Sequence, residues 1–163
     1  MSVAVDEELH REVALKELRH RHVQDRDSRD RFQMEAELTG SLEHPGIVPV
    51  YGQGQYADGR PFYAMRLIRG ETFKSAIKRY HQAGPAGRTV SRWNLEFRQL
   101  LSRFIDVCNT IHYAHSRGVL HRDLKPSNIM LGKYGETLVV DWGLAKPTSG
   151  SEKYTARQTK QTK

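Results

Sequence analysis

The residue types best suited to chemistry cluster in the last third of the chain. The string His121-Arg122-Asp123-Leu124-Lys125-Pro126-Ser127-Asn128 sets a carboxylate, two cations and an amide close together, and Asp141 follows Asp123 by eighteen positions. Far upstream, Lys16 is followed after nineteen residues by Glu35. Moving a phosphoryl group needs a divalent cation, a fixed positive charge on the phosphates and a carboxylate that orients a hydroxyl nucleophile. This inventory offers each of them. Asp123 can take the hydroxyl proton, Asn128 and Asp141 present hard oxygen atoms suited to Mg²⁺, and Lys16 can grip phosphates.

The eight-residue string resembles the catalytic loop of the eukaryotic-like, or Hanks-type, serine/threonine protein kinases. Asp141-Trp142-Gly143 is similar to that family's Asp-Phe-Gly, with tryptophan in the middle, and Val13-Ala14-Leu15-Lys16 resembles its lysine strand. With Glu35 nineteen residues after Lys16 as the fourth, these motifs occur in the family's order. The resemblance, of bacterial type, implies an α+β, two-lobed protein-kinase-like fold using ATP and Mg²⁺ to phosphorylate protein serine or threonine. Asp123 and Lys125 are then the catalytic pair, and lysine two places after the aspartate is the habit of the serine/threonine branch. Asn128 and Asp141 are the metal ligands, and Lys16 and Glu35 serve the nucleotide phosphates. Met65 becomes the gatekeeper, with Arg66, Leu67 and Ile68 as hinge. Ala14 and Met130 enclose the adenine ring, which Val5 also touches. Arg122 would bind a phosphorylated residue of the activation segment, for which Thr148, Ser149, Ser151 and Thr155 are candidates.

Several elements must position these residues. The sequence predicts a short strand over 12–18, a partly exposed helix over 27–42, and strands over 47–51 and 61–68 separated by Gly52, Gly54 and Asp58-Gly59. A helix over 71–82 should end at the linker Gly84-Pro85-Ala86-Gly87. The longest helix is expected over 91–116 and mostly buried, with Leu95, Phe97, Leu100, Leu101, Phe104, Ile105, Cys108, Ile111, His112 and His115 on one face and Gly118 as its stop. On that reading His112 and His115 are core histidines rather than metal ligands, and the pair His20 and His22 is read likewise. His121 and Trp142 are expected to pack behind the loop. Brief strands are expected at 119–120, 129–131 and 137–140 around a turn at Lys133-Tyr134-Gly135. Gly52-Gln53-Gly54-Gln55-Tyr56-Ala57 imitates a dinucleotide fingerprint, but Asp58-Gly59-Arg60-Pro61 returns the chain into a strand where a helix is required.

Composition narrows the function classes. The 163 residues are 37% hydrophobic and 28% charged, which fits one soluble globular domain or part of one. No apolar run approaches a membrane span, and the first residues lack the pattern of a signal peptide. A cytoplasmic setting is expected, with membrane anchoring of a longer parent left open. Cys108 is the single cysteine, so no internal disulfide forms. The net charge of +7 divides into −1 over residues 1–31, +5 over 32–150 and +3 over 151–163. Charge so spread argues against a specific nucleic-acid footprint.

The resemblance extends over about residues 3–147. It divides the chain into an N-lobe remainder and hinge at 1–68, an upper C-lobe at 69–147 and a disordered basic tail at 148–163. The Gly-rich loop, the first strand and the lower C-lobe helices are not found in this sequence, so a fragment is expected. Without those helices the long helix should show an exposed apolar face. A non-catalytic remnant or nucleotide-binding module is the alternative reading.

Overall fold

The computed structural model describes residues 1–83 and 90–148. Strands β1 (Ser2–Asp6) and β2 (Arg11–Glu17) precede helix α1 (Arg26–Gly40), and β3 (Val50–Gln55) and β4 (Pro61–Arg66) follow it. The four strands form one antiparallel sheet in the order β1-β2-β4-β3. Register in this sheet places Ala14 opposite Met65 and Lys16 opposite Tyr63. Phe32, Glu35, Ala36 and Thr39 are buried on α1 at the spacing of one helical face. Phe32 and Ala36 join Ala14, Leu18, Val48, Tyr63 and Met65 in one apolar cluster.

The second part begins with β5 (Gly70–Thr72) and α2 (Phe73–Ala83), followed by α3 (Val90–Ser116) and β6 (Val119–Leu120). Strands β7 (Ile129–Gly132) and β8 (Thr137–Val139) pair with each other, and β7 also pairs with β5. A last short strand, β9 (Lys146–Pro147), pairs with β6. The core here unites Leu38 of α1 with Ile47, Phe73, Val107, Val119, Ile129, Val139 and Trp142. Helix α1 therefore has residues in both clusters, so its placement is coupled to both parts of the molecule. The segment between α1 and β3 helps to join them: Gly46 accepts a hydrogen bond from the Val139 amide at 2.8 Å, and Ile47 bridges Val139.

Four expectations need correction. The strand expected at 47–51 lies at 50–55, while Ile47 and Val48 are buried outside it. Gly52 and Gly54 lie within β3 because pairing with β4 supplies the hydrogen bonds, across a register shift between Val50 and Gly52, and weak strand propensity does not outweigh that pairing. The chain then turns at 56–60 into β4, so the rejected dinucleotide motif has no helix after it.

The long helix is not mostly buried. At 100° per residue, Leu100, Val107, Thr110, Ile111 and Ala114 form the inner face, and these are buried or half-buried. Phe97, Leu101, Phe104, Ile105 and Cys108 form a second stripe roughly 100° away and are exposed, as is Leu95. Apolar character marked both stripes in sequence, but only the inner one packs against the apolar core, while in the outer one Phe97 stacks on Tyr80 of α2 at 6.1 Å. His112 and His115 are exposed and are not core histidines. His20 is also exposed, and His22 is half-buried, its Nε2 accepting from Arg21 at 3.0 Å. The expected linker at 84–87 and the tail beyond Thr148 lie outside the described residues.

Candidate active site

Two groups of polar side chains meet where α1, β2, the loop after β6 and the end of β8 approach one another. In the first, Lys16 Nζ donates to Glu35 Oε1 at 2.5 Å and to Asp141 Oδ1 at 3.0 Å. Glu35 is 6% exposed, and the same Oε1 accepts the Tyr63 hydroxyl at 3.0 Å. Burial alone would lower the pKa of the Lys16 amine, but Glu35 and then Asp141 outweigh it, so the pKa is raised and the amine stays charged.

In the second group, Asp123 Oδ2 accepts Lys125 Nζ at 2.6 Å and Asn128 Nδ2 at 3.0 Å. Asn128 Nδ2 also reaches the Asp123 carbonyl at 3.0 Å, which fixes the loop across five residues. The hydrogen bond from Lys125, supported by its charge and by Asn128, holds the Asp123 carboxyl below the usual carboxylate range. The Val140 amide donates to the Asn128 carbonyl at 2.9 Å, tying the loop to the residue before Asp141.

His121 and Trp142 form the floor. Nδ1 of His121 accepts the Asp123 amide at 3.2 Å, so Nε2 carries the proton and donates to the Val140 carbonyl at 3.1 Å. Burial lowers the imidazole pKa, in keeping with that neutral tautomer. Trp142 is 1% exposed, lies 4.6 Å from the His121 ring and donates to the Val139 carbonyl at 3.2 Å. Both residues pack behind the loop as expected. Arg122 and Asp141 have φ of +63° and +62°, left-handed conformations uncommon for residues with a Cβ. Arg122 Nε is held by the Leu144 carbonyl at 2.7 Å.

Six of the residues singled out from sequence thus converge: Lys16, Glu35, Asp123, Lys125, Asn128 and Asp141. Ala14 and Met65 also meet as buried cross-strand partners, and Leu67 and Ile68 pack against their cluster. Met130 is half-buried on β7, and Val5 is exposed on β1. The Arg66 amide donates to the Pro49 carbonyl at 3.0 Å and its guanidinium pairs with Glu136 at 2.7 Å. Tyr63 went unnoticed in sequence, where it is one aromatic residue in an apolar strand. A cavity of about 950 Å³ lies between α2, α3 and β7, and its lining includes none of these residues.

The protein kinase domain profile matches residues 2–162. This chain belongs to the protein kinase family. Its kinase sequence is 40% identical over 144 residues to the serine/threonine-protein kinase PknD of Protochlamydia amoebophila, covering 88% of this chain and 15% of that protein. The protein of the same name from Chlamydia trachomatis serovar L2b is 41% identical over the same length, and that of Chlamydia pneumoniae is 40% identical, with equal coverage. The kinase chain therefore spans about 15% of the length of the curated relatives it matches. The mixed α+β architecture is that of a partial kinase fold. Among the described residues, no helix is long and apolar enough to cross a membrane.

Proposed function

We propose that this chain carries the phosphoryl-transfer site of a serine/threonine protein kinase, with ATP as donor and a protein hydroxyl as acceptor. The observation that carries the reading is the joining of two networks, Lys16–Glu35–Asp141 and Asp123–Lys125–Asn128, through the Val140–Asn128 hydrogen bond. Kinase family membership and relatives named as serine/threonine kinases support it. In the domain division that follows, residues 1–68 form the N-lobe part and hinge, and 69–147 the upper C-lobe.

The donor set suits Mg²⁺. Asp141 supplies a carboxylate and Asn128, its amide nitrogen engaged with Asp123, has its amide oxygen to offer. Magnesium is commonly held by one or two carboxylates together with substrate phosphates and waters, so a sparse oxygen set is appropriate. When bound, Mg²⁺ neutralises the charge that develops on the phosphates. Lys16 would hold the α- and β-phosphates, with Glu35 fixing its direction. Ala14 and Met130 would enclose adenine beside Met65, and Arg66 and Ile68 would offer backbone groups to its edge, with Val5 at the margin. Asp123 would receive the proton of a serine or threonine hydroxyl as that oxygen bonds to the γ-phosphorus and the β,γ-bridging oxygen leaves with ADP. Lys125 would balance the charge beside the transferring group. Because Lys125 and Asn128 hold Asp123 ionised, it is ready as an acceptor at neutral pH.

The test begins with a thermal shift of the chain with and without Mg²⁺-ATP. A Mg²⁺-dependent rise in midpoint is expected, and Asp141→Ala should abolish it. Asp123→Asn should keep nucleotide affinity and lower phosphoryl transfer by at least about 100-fold, the lower range of general acid–base contributions. Binding with no transfer in the unsubstituted chain would instead identify a nucleotide-binding module. Absence of any nucleotide-dependent shift would overturn the reading.

A further inference from the structure

We propose that Tyr63 is a positioning residue for nucleotide binding: its buried hydroxyl orients the Glu35 carboxylate that in turn directs Lys16 toward the phosphates. The inference deepens the phosphoryl-transfer reading and rests on it. Three observations support it. Tyr63 and Lys16 are direct cross-strand partners on β4 and β2, so their side chains rise from the same face of the sheet. Both donors end on one atom, Glu35 Oε1, at 3.0 and 2.5 Å. The other carboxylate oxygen lies on the side of Gly143, where an added Cβ would come within 3.3 Å of Oε2. The carboxylate is thus bounded by two donors on one oxygen and by a close backbone approach on the other.

Packing accounts for the ring but not for the hydroxyl. Tyr63 is 3% exposed and its ring lies 5.3 Å from Phe32, one turn before Glu35 on α1, a contact that phenylalanine would make equally well. A hydroxyl at such depth needs a partner, and the partner here is the carboxylate that holds Lys16. Burial, then the charge of Glu35, raises the phenol pKa far above its ordinary value, so the group is a proton donor across the working pH range. Glu35 with Lys16 alone would have one donor along one direction. Tyr63 adds a second and fixes the plane of the carboxylate, so that Lys16 is held between Glu35 and Asp141.

Titration calorimetry of the chain with Mg²⁺-ATP tests the role. Tyr63→Phe is expected to weaken binding about tenfold, the scale of one hydrogen bond to a charged group, and to lower the unfolding midpoint by roughly a few degrees, since the same bond is present without nucleotide. The Tyr63→Phe/Glu35→Gln double variant should bind no more weakly than Glu35→Gln alone, because Tyr63 acts through Glu35. Placing p-aminophenylalanine at position 63 restores a donor and should recover most of the affinity, and this variant decides the matter if Tyr63→Phe does not fold. Wild-type affinity in Tyr63→Phe, or losses that simply add in the double variant, would overturn the inference while leaving the phosphoryl-transfer reading intact. No binding by the unsubstituted chain would overturn that reading and the role of Tyr63 together.

Discussion

At the scale of single residues, the site depends on hydrogen bonds that set protonation states. His121 opens the 121–128 loop as a neutral imidazole, accepting from the Asp123 amide and donating to the Val140 carbonyl. Its pKa is depressed by burial. In the unfolded chain the same side chain protonates below about pH 6.5. The unfolded state therefore binds more protons in acid, and stability should fall as pH drops below about 6.5, by at most about 1.4 kcal/mol per pH unit from this group. Urea midpoints between pH 7 and 5 check this, and His121→Gln should flatten the slope. Asp123 behaves differently. Its carboxyl is held below the usual range, so it should stay ionised throughout that interval and contribute little to the acid loss.

At the scale of elements, the close packing of the 44–46 turn on α3 links the two parts of the molecule. A Cβ on Gly46 would collide with Thr110 Oγ1 and lie 3.0 Å from Thr110 Cβ. Thr110 cannot swing aside freely, since it is 1% exposed and its hydroxyl donates to the Asp106 carbonyl at 2.8 Å. Gly46 also anchors Val139 through its carbonyl, so displacement of the turn would disturb the strand that leads to Asp141. Gly46→Ala should destabilise the chain by about 1–3 kcal/mol, as overpacking does. Chemical denaturation measures the loss, and adding Thr110→Ala should recover part of it by removing the obstructing side chain.

At the scale of the whole molecule, the outer stripe of α3 is the main departure from an ordinary soluble surface. Leu101, Phe104 and Ile105 are 45%, 55% and 58% exposed and adjoin one another on the helix. Contiguous apolar surface of this kind promotes association. Phe104→Glu combined with Ile105→Lys should raise the solubility limit and reduce concentration-dependent light scattering. The unfolding midpoint should move little, since these side chains take no part in either apolar cluster. A large drop in midpoint would show that the stripe is covered within the chain.

Much of the candidate site was legible in the sequence. Asp123, Lys125 and Asn128 lie within six residues, so a local loop conformation is enough to bring them together. The resemblance of Val13–Lys16 and Asp141–Gly143 to kinase motifs, at a spacing from Lys16 to Glu35 and from Asp123 to Asp141 that suits the family, named the remaining groups, and hydrophobic periodicity found α1, α2 and α3 to within a few residues. Periodicity could not say which apolar face of α3 is covered, because burial depends on what packs there and both faces carry the same residue types. The displacement of β3 is of the same kind: Gly52 and Gly54 have little preference for a strand, and the partner β4 decides. The hydroxyl of Tyr63 was illegible for a related reason. Its partner Glu35 is 28 residues away, and only the packing of α1 on the sheet makes the pair neighbours. Residue chemistry and local spacing are written along the chain, whereas burial and long-range hydrogen bonding exist only once the elements have packed.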